Sequence, residues 1–195
     1  MLIYYDLETT GLNQFHDKIT EFCFIKEKNG YNVFSSLVNP EKEITIFITK
    51  ITGITNEMVQ VMPKFSQRAV EILNFINNRN GETTYLIAHN NDGFDRIILR
   101  QHLKNSGINL DNYNIKFIDT LLFAKKLYKY YYKFNLSTLC DKLGVEKETA
   151  HRAEGDTKML KGLYSKLCLQ LAKNMNVSYD NVINNPEIVM DYIYG

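Results

Sequence analysis

The sequence predicts an α/β domain: a mixed central sheet with one antiparallel edge region and helices on both faces. Three observations predict it. Three strand-like runs open the chain, the second and third flanking a hairpin signal, Lys28-Asn29-Gly30. Two short apolar runs of the buried, parallel type, Thr84–Ala88 and Ile115–Ile118, are each followed by a helical pattern. No internal repeat or low-complexity linker divides the 195 residues, so one domain over 1–195 is expected.

In order, Leu2–Glu8 is the first strand, with Ile3, Tyr5 and Leu7 on the core face. Asp6 and Glu8 share the opposite face, because side chains alternate along a strand. Two carboxylates on one face repel, and the usual partner is a hard divalent cation such as Mg2+ or Mn2+. Gly11 is read as a tight turn beside them. Ile19–Lys26 and Tyr31–Val38 are the hairpin strands, and Asn39-Pro40 ends the second of them. Residues 41–64 read as irregular, apart from a short helix capped by Thr55.

An amphipathic helix is predicted from about Ser66 to Ile76. After strand Thr84–Ala88, a helix is expected from Asp92 to Asn105, and Asp95 falls in its first turn. Asp119 reads as a helix cap. Asn135–Leu143 is a short helix closed by Gly144, and Ala153–Lys173 a long one. A last helix starts at Pro186, a favourable first helical position, so residues 178–195 form a short helical tail.

Composition narrows the class. Hydrophobic content of 45% and charged content of 23% belong to a globular protein. A net charge of +1 argues against broad electrostatic coating of nucleic acid, but not against a local site charged by metal ions. Cys23, Cys140 and Cys168 lack metal-type spacing and read as buried small apolar residues of a reducing compartment. With no signal peptide and no 18-residue apolar run, an intracellular protein is expected, cytoplasmic or nuclear, neither secreted nor in a membrane.

Three stretches carry chemistry in the order Asp6-Leu7-Glu8-Thr9-Thr10-Gly11, His89-Asn90-Asn91-Asp92-Gly93-Phe94-Asp95 and His151-Arg152-Ala153-Glu154-Gly155-Asp156. The second lies at the C-terminal end of a predicted strand, where open α/β sheets place ligands. In the third, Glu154 and Asp156 cannot point at one spot from a regular helix, so one of them faces solvent. The ordered set resembles the three motifs of the DEDDh 3′→5′ exonucleases, a family with a ribonuclease-H-like fold. It includes the epsilon proofreading subunit of bacterial DNA polymerase III and the three-prime repair (TREX-type) exonucleases. The resemblance covers Leu2 to Leu171, with support from Ile51-Thr52-Gly53-Ile54-Thr55, Ile118-Asp119-Thr120-Leu121 and Asn135-Leu136-Ser137-Thr138-Leu139. Glu154-Gly155 resembles the TREX-type branch. The three prolines are too few for that branch's proline-rich insertion, and no membrane-anchoring tail is seen.

The resemblance implies metal-dependent 3′→5′ hydrolysis of DNA ends, single-stranded or frayed, releasing nucleoside 5′-monophosphates. RNA is the alternative substrate. It implies two divalent ions held by Asp6, Glu8, Asp95 and Asp156: Asp6 bridges them, Glu8 and Asp156 complete one site, and Asp95 serves the other. His151 is the implied general base. Thr9, Gly11, Leu12, His89 and Asn90 are the implied substrate-binding residues. Leu12 has two readings, a wedge against the terminal base and an ordinary core leucine.

A polymerase partner or a homodimer is compatible with the family, as is a proofreading role, and the short tail after Leu171 reads as the only spare surface segment for such a partner. The rival from another class, a catalytically inactive scaffolding module, would lack one of the five active-site residues, and all five are present. One motif is left over. Lys125-Lys126-Leu127-Tyr128-Lys129-Tyr130-Tyr131-Tyr132-Lys133 reads either as a phosphate-tracking, base-stacking surface or as a solvated helix end with packed tyrosines.

Overall fold

Strand β1 (Leu2–Thr9) is the centre of the sheet, with two strands on each side. It runs antiparallel to β2 (Ile19–Lys26) on one side and parallel to β4 (Thr84–Ala88) on the other. β3 (Asn32–Leu37) pairs antiparallel with β2, and β5 (Ile115–Asp119) pairs parallel with β4. The order β3-β2-β1-β4-β5 is the mixed sheet with one antiparallel edge that the sequence predicts. The structure, a computed structural model, describes residues 1–26, 31–78, 80–146 and 152–195. The hairpin signal Lys28-Asn29-Gly30 and His151 lie outside the described residues.

Helices cover both faces. They are α1 (Ile46–Thr52), α2 (Asn56–Val59), α3 (Phe65–Ile76), α4 (Asp95–Asn105), α5 (Thr120–Leu127), α6 (Leu136–Leu143), α7 (Ala153–Met175), α8 (Tyr179–Ile183) and α9 (Pro186–Tyr194). On one face Ile3, Tyr5 and Leu7 pack with Phe22, Phe24 and the apolar sides of α3 and α4. On the other, Tyr4 and Ile87 pack with Phe123 and with Leu160, Leu163 and Tyr164 of α7. Each large apolar side chain buried in this way contributes about 1.5–3 kcal/mol. Cys23, Cys140 and Cys168 are buried thiols, with no disulfide among the described residues. No helix among the described residues is long and apolar enough to cross a membrane.

Three local expectations are corrected. Residues 46–52 are helical, although Ile-Phe-Ile-Thr-Lys-Ile-Thr is a poor helix former. Caps and packing override propensity there. Thr45 accepts from the Ile48 N–H, Gly53 closes the helix at φ +72°, and Ile48 packs on a small core of Ile44, Ile54 and Val59. Helix α4 starts at Asp95 rather than Asp92. Asn90 has φ +65°, and the Gly93 and Phe94 N–H groups both donate to its carbonyl, which makes residues 90–94 a turn. The segment after Leu171 is not spare surface: Val182, Val189 and Ile193 join the α7 core.

Candidate active site

The sheet and α7 together build an acidic cluster. Asp6 and Glu8 lie on the β1 face that looks toward α7. Ala153, the first residue of α7, packs on Cys23 and Ile25 of β2, and this small contact lets the helix start close to the sheet. Asp156 then comes against the two strand acids: Asp6, Glu8 and Asp156 each offer a carboxylate oxygen within 4.8 Å of the others. Such a set of hard oxygen donors fits one divalent cation. Glu154, as the helix geometry requires, is exposed and pairs with Lys158 at 2.9 Å.

Asp95, the first residue of α4, is buried and lies outside that three-carboxylate group, yet its charge bears on Asp6. The backbone N–H groups of Asp95 itself and of Leu7 favour its charged form. Burial raises Asp6 well above the usual carboxylate range, and Asp95, Glu8 and Asp156 push it further. Burial also raises Asp95, with Asp119 and Glu8 adding to the shift against backbone hydrogen bonds. Glu8 is pushed up to about 8 by burial, then by Asp156 and Glu21, while Arg152 opposes. These acids repel without a counter-cation, which is the physical case for a metal.

The repulsion predicts a stability profile. Glu8 holds a proton in the fold up to about pH 8 that the unfolded chain releases near 4.5. The native state therefore binds more protons in that window, and stability falls as pH rises through it. His89 and His102 are held below their ordinary pKa by burial, and their opposite contribution is already complete above about pH 7. Between pH 7 and 8.5 in chelator, we expect a loss of about 1 kcal/mol, or roughly 2–4 °C in melting temperature. Mn2+ or Mg2+ should restore it, and Glu8→Gln should flatten the profile. A melting temperature that rises over this interval in wild type would mean the acids are neutralised by the protein itself.

Sequence reasoning missed Glu21. It stands opposite Glu8 across the β1–β2 ladder and is buried. Both of its oxygens are occupied: Arg152 Nη2 donates to one at 2.7 Å, while Arg152 Nε at 3.1 Å and the Ala153 N–H at 3.0 Å share the other. Glu21 therefore caps α7 and ties the residue after His151 to the sheet. The available signal was a lone carboxylate directly before the apolar run Phe22–Ile25.

The turn after β1 is held by Asp17. Its carboxylate accepts from Thr10 Oγ1 at 2.8 Å, the Asn13 N–H at 2.8 Å and Lys42 Nζ at 2.6 Å. Gly11 is needed for space rather than for a left-handed backbone, because a Cβ there would meet Asp17 Oδ2 at 2.5 Å. Leu12 is 86% exposed, which excludes the core reading. Thr9 is buried, and its hydroxyl donates to the Gly11 carbonyl at 2.6 Å.

The loop before α4 hangs on buried polar groups. Asp119 caps α5 as expected, through the Leu121 N–H at 2.8 Å, but it also accepts from the Asn90 and Asp92 N–H groups. Asn91 is fully buried; it donates to the Leu86 and Ile118 carbonyls and accepts from the Tyr5 hydroxyl. Tyr194 of α9 accepts from the Asp119 N–H at 3.3 Å, and burial, with the nearby Asp92 charge, raises its hydroxyl above the usual tyrosine range. No sequence signal marked Tyr194. His89 Nε2 donates to the Phe134 carbonyl at 2.7 Å, since a carbonyl only accepts, and burial keeps the ring neutral. Nδ1 faces Thr120 Oγ1 at 3.0 Å, and that hydroxyl also lies 3.2 Å from the Ala88 carbonyl. Both His89 nitrogens are thus committed within the protein, whereas Asn90 is exposed.

Comparison with known proteins agrees with this geometry. The family model RNase_T, described as exonuclease, matches residues 3–164. DNA polymerase III PolC-type from Bacillus cereus is 33% identical over 174 residues, 84% of this chain and 12% of that protein. The PolC-type polymerase of Caldanaerobacter subterraneus subsp. tengcongensis is 32% identical over 171 residues, 87% of this chain and 12% of its own. The chain thus spans about an eighth of the length of these curated relatives. Among solved structures, an apo exonuclease I superposes with TM-score 0.74 at 17% identity, covering 97% of this chain and 46% of that one. Exonuclease X in complex with 5′ overhanging duplex DNA gives 0.64 at 22%, covering 93% of this chain and 97% of that one. Escherichia coli exonuclease I bound to a dT13 oligonucleotide gives 0.73 at 18%, covering 89% and 42%. At these identities the structural matches speak for the fold.

Proposed function

The chain belongs to the RNase_T exonuclease family, of the DEDDh 3′→5′ type, and from that membership we propose that it is a divalent-metal-dependent enzyme removing nucleotides from DNA 3′ ends. The substrate is single-stranded or frayed DNA, and the product is a nucleoside 5′-monophosphate. One observation carries the reading: Asp6, Glu8 and Asp156 converge within 4.8 Å, with Asp95 buried beside them. In this proposal Asp6, Glu8 and Asp156 would hold one divalent cation, and Asp95 together with Asp6 would hold a second. Mg2+ or Mn2+ bound there would activate the attacking water and neutralise charge on the phosphate.

The chain's own residues do the rest. Asp6, Glu8, Asp95 and Asp156 supply the negative cage, held rigid by Glu21 on one side and Asp119 on the other. His151 Nδ1 or Nε2 takes the proton from the attacking water. In this proposal exposed Leu12, on the turn directly after β1, packs against the terminal base, and exposed Asn90, on the loop that leads to Asp95, contacts the substrate. Likeness to a segment of PolC-type polymerases supports a proofreading setting, the removal of a misincorporated 3′ nucleotide.

The test is a ladder assay on 5′-labelled single strands and duplexes of DNA and RNA. Expected are stepwise shortening from the 3′ end with Mg2+ or Mn2+, faster on DNA, and blockage by a 3′-terminal phosphate. Full activity in excess chelator, or internal cuts in a circular single strand, would overturn the proposal.

A further inference from the structure

We propose that residues 125–133 form the surface along which a nucleic-acid strand runs away from the active site; this rests on the exonuclease reading above. The stretch holds Lys125, Lys126, Lys129 and Lys133 and not one acid. All four lysines are exposed. None of them is in the ion pairs found among the described residues. A protein of net charge +1 has thus concentrated unneutralised positive charge on one short segment. That is the electrostatic footprint of a polyanion site.

The tyrosines divide into two sets. Tyr128 and Tyr131 are half-buried and stacked on each other with centroids 4.8 Å apart, and Lys142 Nζ sits 4.1 Å over the Tyr131 ring. They anchor the segment on the α7 core. Tyr130 and Tyr132 are 92% and 98% exposed. Each exposed ring therefore alternates with an anchored one, which presents two aromatic faces on a rigid base. The solvated-end reading explains Tyr128 and Tyr131 but not two fully presented phenols among lysines. An open hollow of about 350 Å³ lies beside Tyr130, lined by Lys126, Tyr128, Lys129, Tyr131 and Tyr192 and, at the C-terminal end of α7, by Asn174. A base fits such a hollow with its phosphates on the lysine rim.

Position links this surface to the catalytic end. His89 bonds the Phe134 carbonyl at 2.7 Å, and His89 begins the loop that delivers Asp95. The segment after α5 is therefore fastened to the active-site loop itself, with exposed Asn90 next to the joint. A strand whose 3′ end lies at the acids needs a nearby surface that takes phosphates and bases of any sequence. Lysine charge and tyrosine faces supply both.

The test reads binding apart from catalysis. Affinity for a 15-nucleotide oligo-dT and for its abasic counterpart is measured by anisotropy in Ca2+ across a salt series. Hydrolysis of the p-nitrophenyl ester of thymidine 5′-monophosphate, which carries no upstream strand, is followed in Mn2+. The double variant Lys129→Ala/Lys133→Ala should lose affinity for both oligomers, and its log–log salt slope should shrink by about 1.4. Tyr130→Ala/Tyr132→Ala should lose about 5- to 150-fold per stacked base on oligo-dT and little on the abasic strand. Ester hydrolysis should stay at the wild-type rate in both.

Unchanged affinity and slope would overturn the proposal. So would equal losses on ester and strand, which mark a structural role. So would equal losses by the tyrosine variant on abasic and normal strands, which mark a site for acidic chains in general. A wild-type protein that bound strands but cleaved nothing would sink the exonuclease reading, while the affinity comparison would still decide this one.

Discussion

Asp6→Asn is expected to cut turnover by at least about a thousandfold while leaving the protein folded and, in chelator, slightly more stable. Asparagine keeps the shape and removes the charge that faces Glu8, Asp95 and Asp156. In the native protein burial and these three acids already hold the Asp6 carboxyl far above the usual range, so its removal relieves repulsion. The loss in rate follows because the charge that would collect cations at the phosphate is gone, and electrostatic groups of this kind carry factors of about 100–1,000 each. Removing the residue shared by both cation positions should reach the top of that range or exceed it. Rate, melting temperature in chelator and the rise in melting temperature with added Mn2+ should be measured together. Near-normal turnover, or a normal Mn2+-induced rise, would show that the cluster does not hold the catalytic cation.

His151→Ala should slow single-turnover cleavage by about two to four orders of magnitude, the range for loss of a general base. Strand affinity in Ca2+ should be nearly unchanged, because the proposal gives this side chain neither a cation nor a phosphate. The wild-type rate should climb from the acid side and level off at neutral to mildly alkaline pH, since only neutral imidazole accepts a proton and its ordinary pKa is about 6.5. In the variant that acid limb should vanish. Equal cleavage rates in mutant and wild type would make His151 structural and remove the histidine from the proposed mechanism. Arg152→Ala is the instructive companion. It breaks the Arg152–Glu21 pair and frees the residue after His151, so a rate loss that keeps the wild-type pH limb would identify positioning rather than proton transfer.

The acids of the site were legible because strand alternation and helix periodicity are local rules. Asp6 and Glu8 share a face in any β-strand, and Glu154 and Asp156 diverge on any helix. The five strands were legible for the same reason, with bounds close to those observed. What failed was local propensity without tertiary context. The β-branched run Ile46–Thr52 looked irregular and folds as a helix because its caps and the Ile44–Ile54 core favour it. Asp119 looked like a cap alone, because the loop it also holds is almost thirty residues upstream.

By itself, then, the sequence determined the sheet with its mixed pairing, the helices on both faces, and the identity and order of the acidic motifs. Periodicity and turn chemistry act over a few residues and survive in any context. Only the tertiary structure decided how three of those acids meet, since Ala153 must first settle on Cys23 and Ile25 before Asp156 can face β1. It alone showed that Glu21 clamps Arg152, that Leu12 is exposed rather than buried, and that the last turn of α9 reaches Asp119, the residue that holds the loop before Asp95, through Tyr194. These are contacts between residues 75 to 132 positions apart, or burial set by the whole fold. Hydrogen bonds between such distant groups leave no periodic trace in a chain, because their geometry exists only after the core has closed.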